Sequence, residues 1–231
     1  WDLSITVYPE AFHYHRPHSL NDAISLLSKL GGGAKFLAGG QTLIPLLKMR
    51  MLESGNLVDI ARIPGMSYIK NDNGYVNIGA LATHERIAKS EVATLVPIIG
   101  DCAAGIADHQ VRNLGTIGGS VSVADPSSDW PMVLHTLDAE VICQGPAGKR
   151  TVAIRDFIID PYTTILGTAE LVVEIRFKLP PAKSGGAYIG FKKAAPSYQT
   201  ASAGIQLTLA DDNRCEEIRL VLGSAGPKAI T

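Results

Sequence analysis

KFLAGGQTLIPLLKMRMLESGNLVD, residues 35–59, carries the pattern that decides the fold of this chain. Residues 35–38 read as a short strand, and Gly39-Gly40 follows at once. A helix is expected over 42–51, with Pro45 in its first turn, where a missing N–H costs little. Residues 56–59 read as a second strand, which completes a small β-loop-α-β unit. Paired glycines let a ligand approach the backbone closely, because no Cβ intervenes. Successive N–H groups in such a turn converge on an anion, and the following helix N-terminus adds positive potential.

On the N-terminal side, residues 19–30 form an amphipathic helix, with Leu20, Ala23, Ile24, Leu27 and Leu30 at helical spacing. Ser19 is its expected N-cap with Asp22 three residues on, and Gly31-Gly32-Gly33 stops it. Trp1, Leu3, Ile5 and Val7 read as an N-terminal strand or interface arm. On the C-terminal side the texture changes to hairpins. One joins 68–70 to 75–78 through Asn73-Gly74, and another joins 139–143 to 149–154 around Gly145-Pro146-Ala147-Gly148. Thr83 caps a short helix; 96–108 is a longer one; 132–137 is a third, with Pro131 in its first turn. A strand over 171–179 ends at Pro180-Pro181, and this diproline with Gly185-Gly186 marks a boundary. Strands are then expected over 187–193, 201–210 and 215–222, with Asp211-Asp212-Asn213 as a turn. Helices and hairpins are interspersed, so the fold class is α+β rather than a doubly wound parallel sheet. The expected domains are 1–59, 60–180 and 181–231.

The charge balance, 21 basic against 22 acidic residues, is not that of a nucleic-acid binder. No apolar stretch approaches the roughly 20 residues needed to span a bilayer, and no signal peptide is visible at residues 1–9. A cytoplasmic protein is expected. Cys102, Cys143 and Cys215 are far apart without a CxxC, so they read as reduced, buried thiols rather than a zinc or iron–sulfur site. Six histidines show no metal spacing, and no metal ligand is assigned.

A second glycine segment, Gly115-Thr116-Ile117-Gly118-Gly119-Ser120, lies within VRNLGTIGGSVSVADPSSDWP, residues 111–131. No GxGxxG follows a strand and no Walker A lysine is present, which disfavours a Rossmann site and a P-loop. Two such loops would grip a pyrophosphate from both sides, with hydroxyls of Thr42, Thr116 and Ser120 adding donors. The residues alone therefore point to a phosphate-bearing small molecule.

AGGQTLIPLLKMR (38–50) and residues 111–131, with FHYHRPHSLNDAISLL, LVDIARIPGMSYI and IGALATHERI, resemble the FAD-binding medium subunits of molybdenum hydroxylases, across nearly the whole chain. Carbon monoxide, nicotinate, quinoline and xanthine-oxidising enzymes belong to this group. The resemblance implies a vanillyl-alcohol-oxidase-type fold: two α+β FAD-binding subdomains, then a small C-terminal α+β domain. It implies that Ala38, Gly39, Gly40, Gln41, Thr42, Thr116, Ile117, Gly118, Gly119 and Ser120 cradle the FAD pyrophosphate. It further implies cofactor contacts by Asp129, by the strand backbone at Leu171 or Val172, by Tyr188 flanking the isoalloxazine and by Lys192 near the flavin ring. Asp129 also reads as part of a helix cap, Lys192 as a solvated lysine, and Arg112 and Asn113 as shaping the loop before Gly115. Trp130 and Tyr162 read as core or interface. No catalytic acid or base is assigned.

By the same resemblance, a large partner subunit holds the molybdenum cofactor and a small one holds two [2Fe–2S] clusters, in a dimer of heterotrimers. This chain would pass their electrons to an external acceptor. Two departures stand out. Many carbon monoxide dehydrogenases have AGGHS where Gln41-Thr42 stands here. Relatives continue into helices after the last strand, whereas this chain stops at Thr231, so a shortened C-terminal domain, or one completed by another chain, is expected. The alternatives are a stand-alone flavin oxidase of the same fold and an interaction subunit that has lost flavin.

Overall fold

Ser19 begins the first helix as its side chain dictates: the hydroxyl accepts the N–H of Asp22 at 3.1 Å. The structure, a computed structural model, describes residues 8–230, so the strand expected at residues 1–7 lies outside them. Strand β1 (His13–His15) precedes helix α1 (Leu20–Leu30), whose Ala23, Ile24 and Leu27 face the core. Strand β2 (Ala34–Leu37), helix α2 (Leu43–Lys48) and strand β3 (Asn56–Asp59) follow. Helix α2 is shorter than expected because Arg50 turns left-handed, at φ 55. The three strands form a parallel sheet in the order β1-β3-β2.

The second unit opens with a hairpin of β4 (Ile69–Asp72) and β5 (Tyr75–Gly79). Its turn residues Asn73 and Gly74 sit at φ 51 and 77, as an Asn-Gly hairpin turn demands. Five helices come next: α3 (His84–Ala88), α4 (Glu91–Leu95), α5 (Pro97–Gly105), α6 (His109–Leu114) and α7 (Ile117–Val123). Helix α8 (Asp129–Thr136) then leads to the hairpin β6 (Glu140–Gly145) and β7 (Gly148–Ala153). A short helix α9 (Ile154–Phe157) and the two-stranded ribbon β8 (Ile158–Asp160) and β9 (Thr163–Thr164) precede β10 (Leu171–Lys178). The antiparallel sheet has the order β4-β5-β10-β6-β7. Strand β10 is therefore central, and Leu171, Val172, Val173, Ile175 and Phe177 are all buried.

The structure corrects four expectations here. The helix expected over 96–108 ends at Gly105, because Asp108 is the N-cap of the next helix and accepts the N–H of Val111 at 2.9 Å. The segment around Gly115 to Ser120 is helical from Ile117, not an open loop. Gly185-Gly186 lies inside strand β11 (Ser184–Phe191) rather than at a boundary. Cys215 is exposed, unlike Cys102 and Cys143.

Strands β11, β12 (Ala201–Leu209) and β13 (Cys215–Gly223) make an antiparallel meander. Its inner face carries glycines and polar side chains and lies close against α5 and α8. A Cβ on Gly204 would stand 3.0 Å from the Thr136 hydroxyl, and one on Gly223 3.0 Å from Met132 Sδ. The outer face is apolar instead: Ile189 is 74% exposed and Phe191 69%, with Ile218, Leu220 and Leu222 beside them.

Candidate cofactor site

A cleft of about 550 Å³ runs between the two glycine segments. Its walls meet at Gly39, where an added Cβ would stand 2.1 Å from the carbonyl oxygen of Leu114 and 2.9 Å from Gly115 Cα. Only glycine permits that contact between backbones. Gly118 plays the same part against Ala80, whose Cβ would be 2.5 Å from an added methyl. A second hollow, about 610 Å³, touches the first loop and takes only Leu114 from the second segment. The cleft between the loops is thus the one that both motifs build.

The two loops do not offer the same groups. Among the described residues, the N–H groups of Gly39, Gly40, Gln41 and Thr42 have no acceptor. Gly40 at φ +71 turns this run of donors outward into an anion cradle. In the second segment the N–H groups are already used. Ile117 donates to Ala82 at 3.1 Å, Gly118 to Ala80 at 2.9 Å, Gly119 to the Thr116 hydroxyl at 3.1 Å and Ser120 to Thr116 at 3.0 Å. The two sides of the expected grip therefore differ in what they offer. The first loop supplies backbone donors; the second supplies a wall and the hydroxyl protons of Thr116 and Ser120.

Of the residues expected at the cofactor, Ala38, Gly39, Gly40, Gln41, Thr42, Thr116, Gly118, Gly119, Ser120, Asp129, Leu171 and Val172 line this cleft. Ile117 does not: its side chain is fully buried in the core. Tyr188 is buried behind the wall, and its hydroxyl donates to Asp129 Oδ1. Lys192 lies outside the lining. Its Nζ donates to the carbonyls of Gly105 at 2.6 Å, Ala107 at 3.4 Å and Ala195 at 2.9 Å, so it fastens the end of α5 to the C-terminal sheet. That geometry replaces the solvated-lysine reading. Asp129 faces the cleft while Tyr188 and Gln199 hold its Oδ1; burial raises its pKa against those partners. Arg112 shapes the neighbouring loop through the carbonyls of Ile106 (2.9 Å) and Ala107 (3.3 Å), and Asn113 through that of His109 (2.7 Å).

Other lining residues escaped the sequence reading, among them Tyr198, Tyr162 and His84. Tyr198, between β11 and β12, lines the cleft close to Thr42. Tyr162, held at φ 56, stands exposed at the cleft. His84 is buried at the seam between the loops, where Trp130 Nε1 donates to its Nδ1 at 2.9 Å. Burial, helped by Arg112, pushes the pKa of His84 down to about 4.

This fold and cleft define a protein of mixed α+β class that binds a phosphate-bearing small molecule. The profile of the family described as "FAD binding domain in molybdopterin dehydrogenase" matches residues 10–180. The carbon monoxide dehydrogenase medium chain of Afipia carboxidovorans is 40% identical over 87% of this chain and 70% of its own length. The solved carbon monoxide dehydrogenase from Hydrogenophaga pseudoflava, in a form lacking the Mo-pyranopterin moiety, superposes with a TM-score of 0.92. It is 35% identical and covers 96% of this chain and 77% of that one. Quinoline 2-oxidoreductase from Pseudomonas putida 86 superposes with a TM-score of 0.89, at 32% identity, over 96% and 76% of the two chains. The chain belongs to the FAD-binding medium subunits of the molybdenum hydroxylase family, and is an oxidoreductase subunit. The free donors of residues 39–42 and the Cβ-free seam fit a dinucleotide with its anionic bridge.

Proposed function

We propose that this chain takes electrons from the [2Fe–2S] clusters of a small partner subunit and passes them to an external acceptor. In this reading a large partner subunit carries the molybdenum cofactor and the substrate site, and the cytoplasmic complex is a dimer of heterotrimers. FAD supplies the redox chemistry when bound, and the protein positions it. Residues 39–42 hold the phosphate bridge through backbone N–H groups. Thr116 and Ser120 orient it from the opposite wall. Asp129, Leu171 and Val172 shape the remaining cleft.

One observation favours electron transfer over a stand-alone oxidase: the carboxylates and the imidazole of the cleft each already have a side-chain partner. Asp129 is held by Tyr188 and Gln199, Glu170 pairs with Arg150 at 2.6 Å, and the Nδ1 of His84 is held by Trp130. Among the described lining residues none of these groups lacks a side-chain partner, unlike the unpaired general base that an oxidase of this fold would need. The relatives' names support the same division of labour, since carbon monoxide and quinoline enzymes share this subunit's fold.

The test is the visible spectrum and metal content of the natively purified complex. About one FAD per chain, with iron and molybdenum, is expected. Flavin without either metal would favour the stand-alone oxidase; absence of flavin would overturn the reading.

A further inference from the structure

Trp130 fixes the tautomer of His84. An indole N–H only donates, so the Nδ1 that it meets at 2.9 Å must accept. A neutral imidazole then carries its proton on Nε2. The ring cannot turn over without breaking this bond, since it is 5% exposed and lies 6.1 Å from the indole, centroid to centroid. Its backbone is pinned as well, the N–H of His84 donating to Gly115 at 3.0 Å. The free nitrogen therefore has one direction. A Cβ on Gly115 would stand 2.7 Å from Nε2, and Gly115 Cα is one of the backbone atoms that Gly39 packs against, 2.9 Å from an added Cβ there. Among the described residues Nε2 has no partner, yet it is not one of the sealed unpaired side-chain atoms, Gln199 Oε1 and Gln206 Oε1. It opens on the cleft that His84 lines, at the seam between the two loops.

A fixed donor, nearly buried and left without an acceptor, is costly unless a ligand completes it. The unpaired N–H groups of residues 39–42 line the same cleft, so an anionic group bound there would supply the acceptor. We propose that His84 is a cofactor-binding residue, its Nε2–H donating to a phosphate oxygen of bound FAD, and that Trp130 is the positioning residue that sets its tautomer. This rests on reading the cleft as the FAD site.

The test uses the native complex, stripped of flavin and titrated with FAD, with ADP as competitor. His84→Phe is expected to weaken FAD and ADP by a similar factor, on the order of 10- to 100-fold. His84→Gln, which can both accept from Trp130 and donate into the cleft, is expected to recover most of that loss. Trp130→Phe frees the tautomer and is expected to weaken FAD less than His84→Phe. Ser122→Trp, a cleft-filling control at a lining position, is expected to abolish binding. Unchanged affinity in His84→Phe with loss in Ser122→Trp overturns the role of His84 alone; unchanged affinity in both overturns the cleft reading. Loss for FAD but not ADP overturns the phosphate contact. Should the variants fail to fold, nitrogen NMR of the unaltered chain decides. A proton on Nε2 whose resonance moves on adding FAD supports the proposal, and a proton on Nδ1 overturns it.

Discussion

Gly39 and Gly119 belong to similar dipeptides and have different duties. A methyl on Gly39 meets only backbone, 2.1 Å from the Leu114 oxygen, and no rotamer can relieve it. A methyl on Gly119 meets the Thr116 hydroxyl at 2.9 Å, a side chain able to turn away. Gly39→Ala is therefore expected to destabilise by at least about 2 kcal/mol and to lose flavin. Gly119→Ala is expected to cost about 1 kcal/mol, the worth of the displaced cap. Urea midpoints rank the two, and equal losses would contradict the assignment. His84 gives a second expectation. Its pKa is about 4 in the fold against 6.5 ordinarily, so it is neutral in the fold and protonates on unfolding. Its contribution is whole above pH 6.5 and is lost as pH falls toward 4, by about 3 kcal/mol at most. Asp129, with its pKa raised by burial, acts in the opposite sense, becoming less costly as it protonates. Urea midpoints at pH 7 and 4.5 should fall further apart in the unaltered chain than in His84→Gln.

At the level of elements, strand identity was legible where alternation and turns agreed. The hairpin at Asn73-Gly74 and the strands beginning at Ala201 and Cys215 stand where their residues place them. Glycine was misread where its role is tertiary. Gly118 and Gly119 suggested a loop but sit in α7, because the helix needs bare backbone to lie on Ala80. Gly186 suggested a break, whereas it makes room for the Gln206 side chain, whose Oε1 would stand 2.2 Å from a Cβ. Local signals for α6 and α7 existed, in the caps Asp108 and Thr116. The β11–β13 meander has its apolar side outward, a large exposed patch for a water-facing sheet. Expressed by itself, the chain is expected to self-associate through it. The double change Ile218→Lys, Leu220→Lys should lower light scattering while leaving FAD affinity unaltered; undiminished scattering would exonerate this face.

Across the whole molecule, the cleft joins residues that no local pattern brings together. The glycine motifs were legible because close approach demands a residue type. Trp130 against His84, 46 positions apart, and Tyr198 against Thr42 were not, because aromatic residues in core and in site look alike in sequence. The contacts of Lys192 were illegible for a related reason: a lysine's partners are set by which carbonyls the fold leaves at its tip, here those of Gly105, Ala107 and Ala195. That triple contact bears on traffic as well as architecture. The two glycine walls touch backbone to backbone and cannot part without dismantling the seam at Gly39. The segment 195–199, moored by Lys192 at one end and by Gln199 on Asp129 at the other, borders the cleft without such a lock. Loosening either mooring would open a side of the cleft that the glycine seam does not guard.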